Sequence, residues 1–225
     1  MTAEYLDQTF EHKRIEHGTD AYDGSTFRRC TFFGCTIRPR GGDGFISVGA
    51  GLTFDRCAFG KNVVNQIVLR DWMLSSYRAS SQPLFLTSCL FDRVRFSGKC
   101  GATSILGPQP SVPPVQKSAI LQAAAEFYGD IEWAVDIRDA SFTDIKLLFV
   151  PGELVLRDPQ RHFLVYRDRL ESVAVELLPS AIQSRLELVG LSPFSSVVMV
   201  APDKGRNAAE VLAGYRALVE MGVAE

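Results

Sequence analysis

Large apolar residues recur every five positions over much of the first 150 residues. The repeating units fall in four runs, 25–39, 52–71, 84–98 and 135–149. The central residues of these units are all large and apolar: Phe27, Phe32, Ile37, Phe54, Phe59, Val64, Leu69, Leu86, Phe91, Phe96, Ile137, Phe142 and Leu147. A period of five fits neither an α-helix, which repeats every 3.6 residues, nor a plain strand, which repeats every two.

A five-residue unit fits one short extended segment followed by a corner. Its first and third positions face inward, because alternate residues of a strand lie on the same side. The first position is mostly small or medium-sized, and it holds four of the five cysteines, Cys30, Cys35, Cys57 and Cys89. The fourth and fifth positions are often charged or turn-forming. Four such sides would close a square coil of about 20 residues, and the coils would stack around an apolar interior.

This pattern resembles the pentapeptide-repeat proteins, which fold as right-handed quadrilateral β-helices. The resemblance covers roughly residues 25–149 with interruptions, and only 52–71 supplies four consecutive units. The Asp or Asn usual at the second position is mostly replaced by threonine, as at Thr26, Thr31, Thr36 and Thr53. The resemblance implies a mainly β fold, a right-handed parallel β-helix of about four square coils with insertions.

Three longer stretches interrupt the repeats, 40–51, 72–83 and 99–134. We expect about five residues of each stretch to supply a missing side and the remainder to protrude. The third stretch also predicts a helical insertion near 113–129, with prolines before it and Gly129 at its end. Phe10 and Ile15, five residues apart, predict an irregular first coil.

The five-residue period ends near Pro151, which predicts two parts, a repeat region over 1–150 and a small α+β capping unit over 151–225. Residues 152–167 resemble a hairpin that turns at Asp158–Gln160, and 196–200 is a short apolar strand. Apolar stripes predict a helix near 178–189 and a second one that begins near Asn207. We expect this unit to cover the open end of the coils, since uncovered β-edges promote aggregation.

Charge and composition exclude several classes of protein. The chain has 24 Lys and Arg against 26 Asp and Glu, which favours neither a basic nucleic-acid binder nor a strongly acidic DNA mimic. No apolar run approaches the roughly 18 residues that span a bilayer, and the first ten residues do not resemble a secretory signal. Five cysteines without metal-binding spacing favour reduced thiols in the cytoplasm.

Residues with catalytic or ligand-binding chemistry are few. His12 and His17 could hold a metal with Glu16, but their spacing is more typical of surface histidines. The glycines of 41–44 lack the phosphate-loop spacing and are interpreted as part of a corner insertion. Cys100 is out of phase with the repeat, which makes it the cysteine most suited to reactivity. We therefore predict no catalytic residue, no metal and no cofactor.

The strongest functional signal is surface recognition. Outward residues of stacked coils form continuous stripes, and arginine and aromatic residues are enriched in binding hot spots. The predicted partner-binding residues are Arg28, Arg29, Phe33, Arg38, Arg56, Trp72, Tyr77 and Arg93. The alternative for the aromatic residues is that an insertion or the C-terminal unit covers them.

The leading hypothesis is a non-catalytic protein-binding module. The resemblance implies an activity of this class, since pentapeptide-repeat proteins bind or block other proteins, and it suggests an immunity or antitoxin-like inhibitor of a toxin or effector enzyme. A homodimer is left open. One alternative is a DNA mimic that protects topoisomerase, although arginines accompany the aspartates at nearly every coil. Another is an enzyme or ligand-binding protein with a site between the coils and the C-terminal unit, around Asp158, Arg161 and His162.

Overall fold

The structure is a computed structural model that describes residues 2–40, 44–174 and 178–225. It is mainly β, with many short parallel strands and few helices. The strands of the first two thirds are β1 (Glu4–Leu6), β2 (Thr9–Glu11), β3 (Arg14–Ile15), β4 (Thr26–Arg28), β5 (Thr31–Phe33), β6 (Thr36–Ile37), β7 (Ile46–Ala50), β8 (Thr53–Asp55), β9 (Ala58–Gly60), β10 (Val63–Asn65), β11 (Ile67–Arg70), β12 (Met73–Ser75), β13 (Arg78–Ser80), β14 (Leu84–Thr87), β15 (Leu90–Asp92), β16 (Val94–Cys100), β17 (Thr103–Leu106), β18 (Val135–Asp136), β19 (Ala140–Phe142) and β20 (Ile145–Leu147). The last three strands are β21 (Val155–Leu156), β22 (His162–Tyr166) and β23 (Ser196–Val200), and the helices are α1 (Pro114–Gly129), α2 (Arg167–Leu170), α3 (Ser180–Leu186) and α4 (Ala208–Glu220).

The short strands form four stacked parallel sheets. The first sheet runs β1-β4-β8-β12-β16-β18-β21, with β19 also paired to β16, and the second runs β2-β5-β9-β13. The third runs β3-β6-β10-β14-β17-β20, and the fourth runs β7-β11-β15. Consecutive strands such as β8, β9, β10 and β11 therefore visit the four sheets in turn. One passage of the chain through the sheets is called a circuit below.

The register of the sheets places the central residues of the units on top of one another. In the first sheet Tyr5 pairs with Phe27, Phe27 with Phe54, and Leu74 with both Phe54 and Phe96. The rings of Phe27 and Phe54 stack with centroids 5.1 Å apart. Each buried ring or aliphatic side chain of this kind contributes about 1.5–3 kcal/mol of stabilisation through burial.

The predicted inward residues are confirmed with two partial exceptions. Eleven of the thirteen central residues are buried, and only Phe32 and Ile37 are partly exposed. All five cysteines are buried as well. The last residue of the unit ends each short strand. Arg29, Arg56 and Arg93 all have φ near +53° at this position. This left-handed backbone turns the chain at the end of each short strand, so the next strand enters a new sheet.

The stretch 72–83 is not an insertion, and the prediction of protruding residues there is wrong. Its residues form β12 and β13, which continue the first and second sheets. Trp72 and Tyr77 stand at first positions of units, whereas the centres are Leu74 and Ala79. In the second of these units the large residue, Tyr77, is at the first position and the small residue, Ala79, is at the centre. This is the reverse of the usual order, so the repeat is not apparent in the sequence. The stack is consequently deeper than about four coils, with seven strands along the first sheet.

A helix replaces a strand in one circuit. After β17 the chain forms α1, the helix predicted near 113–129, with Pro114 as its first residue rather than before it. Ile120, Ala124 and Tyr128 are the buried residues of α1, and they belong to the apolar core of the stacked sheets. The Tyr128 hydroxyl donates a hydrogen bond of 3.1 Å to the carbonyl of Phe149, which anchors the helix to the last circuit.

The C-terminal part packs on the stack through a small antiparallel sheet. β22 pairs with β23, whereas β21 pairs in parallel with β18 and ends the first sheet. The predicted hairpin over 152–167 is therefore wrong. Val155 continues the inward column of the first sheet, so its strand and β22 lie in different sheets. The predicted strand at 196–200 and the predicted helices near 178–189 and after Asn207 are present as β23, α3 and α4.

Alternate residues of β22 face two different apolar cores. Phe163 and Val165 pack in the C-terminal core with residues of α3 and α4 such as Ile182 and Tyr215. Leu164, between them, packs in the core of the stacked sheets. Within the described part of the chain, no helix combines the length and the apolar character needed to cross a membrane.

Candidate functional site

A groove with three arginines lies at the corner between the first and second sheets. It has a volume of about 330 Å³ and is lined by Arg29, Cys30, Thr31, Arg56, Ala58, Ser76 and Arg78. These residues come from three consecutive circuits. We call this surface the arginine groove.

The sheet register explains why residues far apart in sequence line one groove. Thr31 pairs with Ala58, and Ala58 pairs with Arg78, along the second sheet. Neighbouring strands are about 4.8 Å apart, so outward side chains of three successive circuits fall within about 10 Å. Arg29 and Arg56 occupy the same corner, one circuit apart.

Two of the three guanidinium groups are engaged in exposed ion pairs. Arg29 Nε donates to Asp7 Oδ1 over 2.7 Å, and this pairing lowers the pKa of Asp7. Arg56 donates to Asp55 over 3.0 Å. Among the residues that the structure describes, no carboxylate forms an ion pair with Arg78, which is exposed. Arg78 therefore presents a free positive charge to whatever enters the groove.

An aromatic side chain lies on the same side of the stack. Phe33 ends β5 and faces outward as predicted, with its side chain partly exposed. The ring lies over Gly60, where an added Cβ would approach it to 3.0 Å, and Lys61 Nζ is 5.6 Å from its centroid. Gly60 thus gives the ring room to lie flat on the second sheet.

Three other predicted binding residues do not line the arginine groove. Arg28 pairs with Glu4 on the outer face of the first sheet, with N and O atoms 3.2 Å apart. Arg93 pairs with Asp71 over 2.7 Å at the corner before the first sheet. Arg38 follows β6 of the third sheet. Of the predicted set, the structure therefore brings Arg29 and Arg56 together in the groove, and Arg28 lies beside them, 3.9 Å from the Asp55 carboxylate that also pairs with Arg56.

The remaining two predicted binding residues are not on the surface. Trp72 is 6% exposed and donates its indole N–H to the carbonyl of Gly49 over 3.0 Å. Tyr77 is 1% exposed, and its hydroxyl shares a hydrogen bond with the Thr103 hydroxyl. The expected outward orientation of both rings is wrong, because each occupies the inward first position of its unit. Arg78 is the groove residue that the sequence interpretation missed.

The histidines and the glycine-rich segment do not form a site in the described chain. No group of three His, Cys, Asp or Glu residues suited to a metal ion occurs among the residues that the structure describes. The ring of His12 packs edge-on against Phe33, with centroids 6.3 Å apart. Gly41 and Gly42, considered for phosphate binding, lie outside the described residues.

The five cysteines are buried, and two of them, Cys30 and Cys57, occupy the same inward position in successive circuits. The Cys30 thiol donates to the carbonyl of Tyr5 over 3.4 Å, and the Cys57 thiol donates to that of Phe27 over 3.3 Å. Burial raises the pKa of Cys57, Cys89 and Cys100 to about 12. The suitability of Cys100 for reaction is not supported, since its side chain is 3% exposed.

We expect the native protein to be almost inert to a thiol reagent. Thiolate is the reacting species, and burial disfavours it here. Ellman's reagent at pH 8 should label less than about one thiol per native chain in an hour and all five after unfolding in guanidinium. Rapid labelling of one thiol in the native state, identified by mass spectrometry, would contradict the burial of that cysteine.

The residues considered as a ligand site at the junction between the stack and the C-terminal part form hydrogen bonds and ion pairs within the protein. His162 is buried, and its Nδ1 accepts a hydrogen bond of 3.1 Å from the backbone N–H of Asp158. Arg161 pairs with Asp203. Nearby, the Ser196 hydroxyl donates to Glu153 over 2.6 Å. His162, Arg161 and Ser196 are thus engaged within the protein, and we propose no ligand site at them.

The functional interpretation of this protein is based on the positions of the residues described above. Comparisons with protein-family models, with curated proteins and with solved structures find no match. The arginine groove is the surface feature that carries the functional argument.

Proposed function

We propose that the chain is a right-handed, four-sided β-helix of the pentapeptide-repeat type that serves as a non-catalytic protein-binding module. The five-residue period, the left-handed backbone at the end of the units and the passage of successive strands through four sheets support this architecture. A stack locked by continuous parallel pairing is stiff, so its outer faces bind without a large ordering cost.

The convergence of three arginines on one groove carries the proposal. Arg29, Arg56 and Arg78 come from successive circuits, and Arg78 has no ion-pair partner in the described chain. Arginine binds carboxylates through two parallel hydrogen bonds, and arginine and aromatic residues dominate binding hot spots. Phe33 adds apolar surface on the same side.

The partner proposed for this groove is a protein segment that bears carboxylates. Such a segment can lie along the corner and pair with Arg78 first, then compete with Asp7 and Asp55 for the other two guanidiniums. An inhibitor of a toxin or effector enzyme that works as an immunity protein or antitoxin fits this mode, because it must hold one enzyme tightly. Five free, buried thiols suit a reducing compartment, and we place the protein in the cytoplasm.

Charge reversal in the groove is expected to abolish capture of the partner. A tagged wild-type chain and the variant Arg56→Glu/Arg78→Glu would be used as baits in a cell extract, with mass spectrometry of the bound proteins. Loss of two hot-spot arginines should weaken binding at least about 100-fold, since each costs on the order of 1.4 kcal/mol or more.

A matched control separates the groove from general charge effects. Arg206→Glu reverses an exposed arginine in the C-terminal part, and its bait should capture the same partner as wild type. Equal capture by the groove variant and the wild type would remove the arginine groove from the interface. Weaker capture by Arg206→Glu alone would move the interface to the C-terminal part.

A further inference from the structure

The interior of the stacked sheets holds a second feature that the protein-binding proposal does not use. A cavity of about 110 Å³ lies inside the first four circuits. Its walls are apolar, with rings such as Phe32, Phe54 and Trp72 among them, and the two exceptions are Lys13 and Asn62. We call this space the lumen.

The lumen exists because small side chains fill the second circuit incompletely. The centre of the fourth sheet is Val48 in that circuit, whereas the next two circuits place Leu69 and Phe91 there. Cys35 occupies the neighbouring inward position at the start of the third side. Fewer side-chain atoms thus meet in this circuit than in those that follow it.

The deeper wall of the lumen offers no free polar group at Asn62. The Asn62 amide oxygen accepts a hydrogen bond of 2.9 Å from the Cys35 N–H, and its amide nitrogen donates to the Phe32 carbonyl over 3.0 Å. A polar guest would therefore find no partner at this residue. An apolar space of this kind suits an apolar guest, as an engineered cavity of about 150 Å³ that binds benzene illustrates.

The N-terminal end of the lumen is incompletely closed. The first circuit contributes β1, β2 and β3 to three sheets, and on the fourth side Thr19 forms a single parallel bridge with Val48 of β7. Phe10 and Ile15, which line the lumen in the first circuit, are partly exposed. The lumen therefore opens at the N-terminal end of the stack, beside Phe10 and Ile15.

A lysine stands at that opening in a position that normally faces inward. Lys13 precedes Ile15 by two residues, as Cys35 precedes Ile37 and Asn62 precedes Val64. Lys13 lines the lumen but is exposed, and in the described chain it forms no ion pair with a carboxylate. A single ammonium group thus meets the mouth of an apolar space.

We propose that the lumen binds a small molecule with an apolar body about the size of one aromatic ring and a carboxylate. The body enters the space between Phe32, Phe54 and Trp72, and the carboxylate remains at the mouth and pairs with the Lys13 ammonium. The walls select for apolar character, and Lys13 selects for negative charge.

Trp72 provides a direct probe of the lumen, because it lines the cavity and the chain has only one other tryptophan. In a Trp133→Phe background, 4-bromobenzoate would be titrated while the fluorescence of Trp72 is measured, and 4-bromobenzyl alcohol would be the neutral comparison. We expect saturable quenching by both, with the carboxylate binding at least about tenfold more tightly because of one added ion pair.

Three variants assign the two halves of the site. Lys13→Met keeps the length of the side chain and should abolish the preference for the carboxylate while leaving the alcohol's affinity unchanged. Val48→Phe should fill the lumen and eliminate saturable quenching by both probes. Cys35→Leu fills it with a smaller change and serves if Val48→Phe does not fold, as judged by circular dichroism.

The outcomes decide each part separately. Quenching that never saturates, or that persists in both lumen-filling variants, would overturn the ligand site. An unchanged preference in Lys13→Met would overturn the role of the ammonium, and aggregation of that variant would instead identify Lys13 as a charge that protects an open β-edge. The groove variant Arg56→Glu/Arg78→Glu should bind both probes normally, so this test is independent of the protein partner.

Discussion

Replacing Phe91 with alanine should lower the free energy of unfolding by about 3–5 kcal/mol, the usual cost of deleting a core phenylalanine. The side chain is fully buried at the centre of β15 and stacks on Leu69 of β11 in the previous circuit. Its removal leaves a cavity between rigid strands that cannot move together, since both are held by parallel pairing. Urea denaturation followed by circular dichroism would measure the loss as a lower midpoint with an unchanged slope.

Phe33→Ala is the matched control for this prediction. It removes the same atoms from an outward position on β5, where the ring is partly exposed over Gly60. We expect it to cost less than about 1 kcal/mol, as surface substitutions commonly do. Similar losses for the two variants, or a loss below about 1 kcal/mol for Phe91→Ala, would contradict the inward and outward assignment of the five-residue unit.

The repeating part of the fold was predictable because its cause is local. Each unit carries its own inward residue, such as Phe54 or Phe59, and its own corner residue, such as Arg56. A position in the unit therefore determines a direction in space without knowledge of the rest of the chain. The same rule also locates the buried cysteines, which alternate with the large central residues along the inward side.

The errors at Trp72 and Tyr77 came from giving residue size precedence over phase. Counted from Leu52 in steps of five, both fall at first positions, so phase alone places them inward. The same count puts Arg78 at an outward second position. Arg78 could therefore have been identified beside Arg29 and Arg56, had the repeat been continued through 72–83.

Other features depend on distant parts of the chain and had no local signal. Val155 joins the first sheet because β18 of the preceding circuit, which contains Val135, has an edge with which β21 pairs in parallel. β22 instead pairs with β23, a strand more than thirty residues further along. The lumen depends on the summed volumes of side chains from several sheets, among which Val48 is small where Phe91 is large. No single segment encodes such a sum.

His162 should make the stability of the protein fall steeply in mild acid. Burial lowers the pKa of His162 to about 4, against an ordinary value of 6.5, with Asp158 opposing and Arg161 reinforcing the shift. Above pH 6.5 the ring is neutral in both states and has no effect. Between pH 6.5 and about 4 only the unfolded chain binds the proton, so the free energy of unfolding falls by about 1.4 kcal/mol per pH unit and by about 3 kcal/mol in all.

The variant His162→Asn isolates this contribution. The asparagine amide oxygen can accept the hydrogen bond that Asp158 N–H donates to Nδ1, but the amide does not titrate. Free energies of unfolding would be measured for both proteins at pH 7.5, 5.5 and 4.5. The asparagine variant should start less stable and then lose about 3 kcal/mol less than wild type over this range, because the remaining titrating groups are shared.

Parallel pH profiles of the two proteins would mean that His162 binds its proton equally well folded and unfolded. The imidazole would then have to reach water in the native state, which its position on β22 beneath Val200 does not allow. If the stability of wild type instead approaches that of His162→Asn as the pH falls, the acid sensitivity comes from His162 and therefore from the C-terminal part of the chain. The stacked sheets should contribute much less between these pH values, because the Asp7 and Asp71 ion pairs are exposed and because, against the opposing effect of burial, hydrogen bonding to Arg138 lowers the pKa of the buried Asp136 below its ordinary value of 3.8.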